Sequence, residues 1–157
     1  MPRSYASSMV GADPDTVWDF LRDFNRTPDF VDAVTASEIL DGKPADQVGC
    51  ERKLTLGDGS LVRERLVALS DLDRSYTYHL LEGPFPFTRY YSTLRVSPVT
   101  QGGGASFVEW WSTYDCAPED EKAMDDLLAG SLYASGLAGL QALLAASGPA
   151  TPSMSAT

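Results

Sequence analysis

Between Cys50 and Asp115 the sequence divides into short segments of β character, each closed by turn residues. They are Cys50–Leu56, Leu61–Leu69, Ser75–Leu81, Thr88–Val96 and Ala105–Asp115. Gly57-Asp58-Gly59 supplies the positive φ that a hairpin needs, and Asp71–Arg74 and Gly102-Gly103-Gly104 mark later turns. Strands at this spacing, joined by tight turns, predict an antiparallel meander. That pattern limits the possible folds more than any other in the chain.

Within the meander one segment carries a charge on its apolar side. Side chains alternate across a strand, so Val62, Glu64, Leu66 and Ala68 share one face, and Leu61, Arg63, Arg65 and Val67 share the other. If the first set faces the interior, Glu64 is a carboxylate among hydrocarbon, which is costly unless it is paired, hydrogen-bonded or protonated. A chain that keeps such a group inside often has a wet, ligand-sized cavity behind it. The alternative is an edge strand with Glu64 in water. Arg63 and Arg65 belong to a solvated face under either reading.

The flanking sequence is helical or mixed. Arg3 to Val10 alternates weakly, as a strand would. Asp13-Pro14 reads as an N-cap followed by a first-turn proline, and Val17, Phe20, Leu21 and Phe24 form one helical face. Thr27-Pro28 breaks that helix, Asp29–Val34 gives a second short one, and Ala36–Leu40 gives a strand before a polar loop. After the meander, Glu119, Asp120 and Glu121 crowd the first turn of a helix, where carboxylates suit the dipole. That helix runs from near Pro118 to about Ala146, roughly 40 Å at 1.5 Å per residue. Tyr133, Leu137, Leu140 and Leu144 make one stripe. Met124, Leu127 and Leu128 lie nearly opposite it, so a kink or rotation at Gly130 has to reconcile the two. Residues 1–147 form one domain, and the Gly, Pro and Ser of residues 148–157 have the composition of a disordered tail.

A formal charge of −10 argues against nucleic acid and anionic membrane as partners, since both call for a basic footprint. No apolar run reaches the ~20 residues of a membrane span, and the N-terminus lacks a signal-peptide core, so the expected location is the cytoplasm. Cys50 and Cys116 have no motif spacing and read as free thiols. One histidine and no paired cysteines leave no zinc site, and no Ser/His/Asp set can be assembled. Gly102–Gly104 is no phosphate loop, because neither a lysine nor a helix comes after it. His79 lies on the opposite parity from Tyr78 and Leu80 and reads as a surface residue.

The run Gly49-Cys-Glu-Arg-Lys-Leu-Thr-Leu, then Asp58-Gly, Arg63-Glu-Arg-Leu66, Ser75-Tyr-Thr-Tyr78, Tyr90-Tyr-Ser-Thr-Leu-Arg-Val96 and Val108-Glu-Trp110 resembles the START/Bet v 1-like superfamily. Within it, the chain is most similar to the bacterial polyketide cyclase/dehydrase and lipid-transport branch, and more distantly to plant abscisic-acid receptors. The resemblance spans about residues 3–145. It implies an α+β helix-grip fold: a seven-stranded antiparallel sheet wrapped around a long C-terminal helix, with two short helices and a deep hydrophobic cavity. Family functions range from carriers and receptors to cyclases, so the fold alone does not choose among them.

Carried over by position, Glu64 falls where the family often keeps a polar residue in the cavity. Arg52 falls on the preceding strand, on the same face as Leu54 and Leu56. Tyr78, Tyr90 and Ser92 fall at lining positions, with Trp110 and Tyr114 on the last strand. The loops Gly57–Ser60 and Gly83–Phe87 resemble the receptors' gating loops. Many bacterial relatives carry Trp-His-Pro in the second helix; this chain has Phe30-Val31-Asp32, so no role passes to a histidine there.

These residues define an expected site. Glu64, Tyr78, Tyr90 and Arg52 are the catalytic candidates, and Leu54, Leu56, Leu66, Tyr76, Ser92, Trp110, Tyr114 and Phe85 the ligand-binding ones. Glu64 is either a cavity acid, base or anchor, or half of a structural ion pair with Arg52. Tyrosines offer apolar area with a polar tip, suited to an oxygenated hydrophobic ligand, although aromatics also favour strand cores. Trp110 and Trp111 must face opposite ways, one of them inward. The expected function is binding of such a ligand with cofactor-free cyclisation or dehydration; carriage or sensing without chemistry is the alternative. A third possibility is a vestigial cavity with Phe85-Pro86-Phe87 as a protein contact. A homodimer is compatible with any of these.

Overall fold

The computed structural model describes residues 1–146, and the tail expected over 148–157 lies outside them. Strands β1 (Arg3–Val10), β2 (Val34–Ile39), β3 (Glu51–Leu56), β4 (Leu61–Ser70), β5 (Ser75–Glu82), β6 (Phe87–Pro98) and β7 (Ser106–Cys116) form a single antiparallel sheet. The strand order is β1-β7-β6-β5-β4-β3-β2, so the meander predicted between residues 50 and 115 occupies the middle and β1 returns beside β7. Helices α1 (Pro14–Leu21) and α2 (Thr27–Phe30) come after β1, and the C-terminal helix closes the chain. This is the helix-grip arrangement that the resemblance implies.

Local chemistry explains most boundaries. Asp13 caps α1, accepting from the Thr16 amide, and the α1 face Val17, Trp18 and Leu21 is buried with Phe24 behind it. Two readings are corrected. Thr27-Pro28 opens α2 instead of ending a helix, since proline's fixed φ and missing N–H suit a first turn; α2 stops at Phe30, and residues 31–33 lead into β2. In β4 a bulge between Leu66 and Ala68 shifts the register. The bulge reverses the parity of the last residues of the strand, so Ala68 is exposed while Leu69 pairs with Tyr76 and packs on the core.

The C-terminal helix is three segments in line: α3 (Glu121–Leu127), a π-helical stretch over Leu128–Tyr133, and α4 (Ala134–Ala146). A π turn adds a residue without leaving the helix axis, which rotates the remainder of the helix. The rotation predicted at Gly130 is thus made by winding, and Leu128, Tyr133, Leu137, Leu140 and Leu144 are all buried. Two glycines set the distance of α4 from its neighbours. A Cβ at Gly139 would stand 2.2 Å from the Phe30 carbonyl oxygen, and one at Gly136 2.8 Å from the Trp110 ring. Because the helix is continuous, Pro118–Ala145 is long and apolar enough to cross a membrane by length and mean hydropathy (1.5), where the sequence reading found no such run. Its leucine stripe is packed on the sheet.

Candidate functional site

Between the concave side of the sheet and the C-terminal helix lies a cavity of about 150 Å³. Consecutive strands supply one wall: Arg52, Leu54 and Leu56 from β3, Val62 and Glu64 from β4, Tyr78 and Leu80 from β5, Phe87 and Tyr90 from β6, and Trp110 from β7. Thr27, Val31, Ala33 and Val34 close one side. Leu127, Leu128 and Leu132 form the roof, and Phe85 reaches in from the β5–β6 loop. The lining is mainly apolar, with its charge confined to Arg52 and Glu64.

These two residues face each other across the β3–β4 pairing. Arg52 Nε donates to Glu64 Oε1 at 2.8 Å, and the charged Nη2 stands 2.7 Å from the same oxygen. Nη1 donates to the Phe24 carbonyl at 2.6 Å and to Thr27 Oγ1 at 2.8 Å. The guanidinium carbon lies 3.7 Å from the Phe24 ring centroid and 4.9 Å from that of Tyr78. Burial is the strongest single influence and works against the arginine's charge, but the Glu64 carboxylate together with Tyr76 and Tyr78 lifts its pKa above the ordinary value. Strand β4 lies between β3 and β5, so the edge-strand reading of Glu64 is removed. Glu64 is in an ion pair with Arg52, and it also lines the cavity. Its Oε2 takes no hydrogen bond among the described residues, which makes it the cavity's bare acceptor.

A hydroxyl network lies beside the pair. Trp110 Nε1 donates to Tyr78 OH at 3.2 Å and to Ser92 Oγ at 3.0 Å, and Ser92 donates to the Trp111 carbonyl. Tyr90 and Tyr133 share a hydrogen bond between their hydroxyls, and Tyr133 stacks on Trp110 at 4.4 Å. Burial raises the Tyr133 pKa to about 12. Burial, then the Glu64 charge, raises that of Tyr78 well above its ordinary value; burial and Tyr133 do the same for Tyr90. At neutral pH these hydroxyls keep their protons and act as donors.

Of the expected residues, Glu64, Arg52, Tyr78, Tyr90, Leu54, Leu56, Trp110 and Phe85 meet at the cavity. Leu66, Tyr76, Ser92 and Tyr114 are buried but do not line it. Ser92 instead orients Trp110, Tyr76 packs edge-on against Phe24, and Tyr114 bonds to Ser4 Oγ. Trp110 is the inward tryptophan; Trp111 lies on the outer face under Arg3, and His79 stacks there on Tyr91. Phe85 is half-buried and stacks on Phe87, which stacks on Tyr90, so its ring serves the cavity. Sequence reasoning missed Thr27, Val31, Ala33 and Val34, which sit around a short helix and carry no periodic signal. Leu80 was legible from its parity with Tyr78, and Tyr133 from being the one hydroxyl in a leucine stripe.

The model of the family described as polyketide cyclase/dehydrase and lipid transport matches residues 1–145. Among solved structures, the protein XoxI from Bacillus cereus is 31% identical, with a TM-score of 0.81 over 91% of this chain and 95% of that one. An uncharacterised protein from Bacillus thuringiensis is 30% identical, with a TM-score of 0.79 over 90% and 97%. Ginseng major latex-like protein 151 from Panax ginseng shares the fold at 20% identity, with a TM-score of 0.71 over 90% and 95%. No functionally curated protein matches the chain in sequence.

Proposed function

The chain belongs to the polyketide cyclase/dehydrase and lipid transport family, and we propose that it holds a hydrophobic, oxygenated small molecule in the cavity between sheet and helix. The observation that carries this reading is an apolar cavity with one ion pair, Arg52–Glu64, in its wall. Apolar burial drives a guest in, and a few polar groups fix its orientation. A volume of about 150 Å³ matches a single aromatic ring, the scale at which an engineered apolar cavity takes up benzene. A longer guest requires Phe85 and the roof leucines to move outward.

Binding is favoured over chemistry because the cavity's one carboxylate, Glu64, is engaged by Arg52. A second reading, cofactor-free cyclisation or dehydration, rests on Arg52, Glu64, Tyr78 and Tyr90 reaching the same cavity from four neighbouring strands. Its mark would be turnover of a guest that the chain also binds.

The test is a thermal-shift measurement on the native chain and on Leu80→Trp, which fills the cavity from its wall. A guest at a hundred times its Kd stabilises by about 2.7 kcal/mol, or roughly 5–10 °C for a domain of this size. The native chain should show that shift with ring-sized hydrophobic guests, and Leu80→Trp should lose it. An equal shift in both places the guest elsewhere.

A further inference from the structure

The polar wall of the cavity offers an acceptor and a donor, and no unneutralised positive charge. Glu64 Oε1 accepts from Arg52 Nε and is ion-paired with Nη2, which leaves Oε2 as the acceptor. Arg52 spends its Nη1 donors on Phe24 and Thr27, so three of its five N–H groups are hydrogen-bonded and its Nη2 is held in the ion pair. Tyr78 OH accepts from Trp110 Nε1 and neighbours Ser92, whose Oγ already bonds to Trp110 and to the Trp111 carbonyl, so a guest competes only with Ser92 for the Tyr78 proton. Tyr90 is already engaged with Tyr133.

Resting on the reading that this cavity is the binding site, we propose that its preferred guest is a neutral, ring-sized molecule with a hydroxyl group, a phenol or an alcohol, and that a carboxylate of the same shape is rejected. A hydroxyl satisfies both wall groups: it donates to Glu64 Oε2 and accepts from Tyr78. A carboxylate has only acceptors. It would bring a second negative charge beside Glu64 in a poorly solvated space, where like charges repel strongly and the arginine's charge is already matched. Neutral guests pay no such penalty.

The test is calorimetric titration at neutral pH with three guests of one shape: toluene, p-cresol and p-toluate. A hydrogen bond to a charged acceptor makes p-cresol bind about tenfold or more tightly than toluene, and p-toluate should bind at least about tenfold more weakly than p-cresol. In Tyr78→Phe, p-cresol loses roughly three- to tenfold while toluene is unchanged. In Glu64→Gln the Arg52 charge is unmatched, so p-toluate overtakes p-cresol. Should that variant fail to fold, the native ranking and Tyr78→Phe decide the matter. If toluene binds the native chain but p-toluate equals or exceeds p-cresol, the hydroxyl preference is wrong and the cavity remains a binding site. If none of the three binds, both readings fall together.

Discussion

Arg52 and Glu64 are nearly without solvent, with side-chain exposures of 3% and 8%. Removing two charges from water is expensive, and mutual attraction repays the cost only with close geometry and extra hydrogen bonds. Here the extra bonds come from Phe24 and Thr27, which tie the pair to α2 and to the loop before it. Arg52→Leu should therefore cost about 3–5 kcal/mol, because it strands the Glu64 charge. The double variant Arg52→Leu/Glu64→Leu should recover much of that loss in urea denaturation, since an apolar replacement of a buried pair is often nearly neutral. A double variant as unstable as the single would show that the bonds to Phe24 and Thr27 carry the stability. The pairing was legible in the sequence, because Arg52 and Glu64 fall on the inward parity of adjacent strands. The bareness of Oε2 was not, because it depends on which oxygen the fork of the guanidinium selects.

Among the strands and helices, simple periodicity holds until one residue is inserted. The bulge in β4 turns Ala68 outward, and the π stretch rotates α4 so that the Tyr133 stripe and Leu128 meet the same core. Two opposed stripes around Gly130 announced that a rotation was needed; the alternation of β4 gave no such warning. The glycines of the C-terminal helix separate two effects. Ala is favoured over Gly in a helix by about 0.5–1 kcal/mol, and Gly130 has open space around its missing Cβ, so Gly130→Ala should stabilise by about that amount. Gly139 stands against the Phe30 backbone, and no side-chain rotation can relieve a 2.2 Å contact, so the clash wins. Gly139→Ala should destabilise by about 1–3 kcal/mol, read from denaturation midpoints. Similar stability for the two variants would show that α4 can slide on α2 without cost.

Taken as a whole, the sheet and the helix stand as two layers joined at their rims, and the space left between them is the site. Strands, helix and the inward tyrosines were legible in the sequence because alternation and spacing encode them directly. The cavity itself is a product of curvature and of the approach of α4, and its Thr27–Val34 side comes from residues whose positions only the folded chain defines. Uptake of a hydrophobic guest into this space can be read by methyl-resolved NMR of the full chain titrated with toluene. Saturable shifts are expected at the methyls of Leu54, Val62, Leu80 and Leu128, which surround the cavity, and none at Leu72 or Met9, which lie on the outside. Shifts at the outer methyls with the cavity methyls silent, or no shift at any of them, would overturn the assignment of this cavity as the binding site.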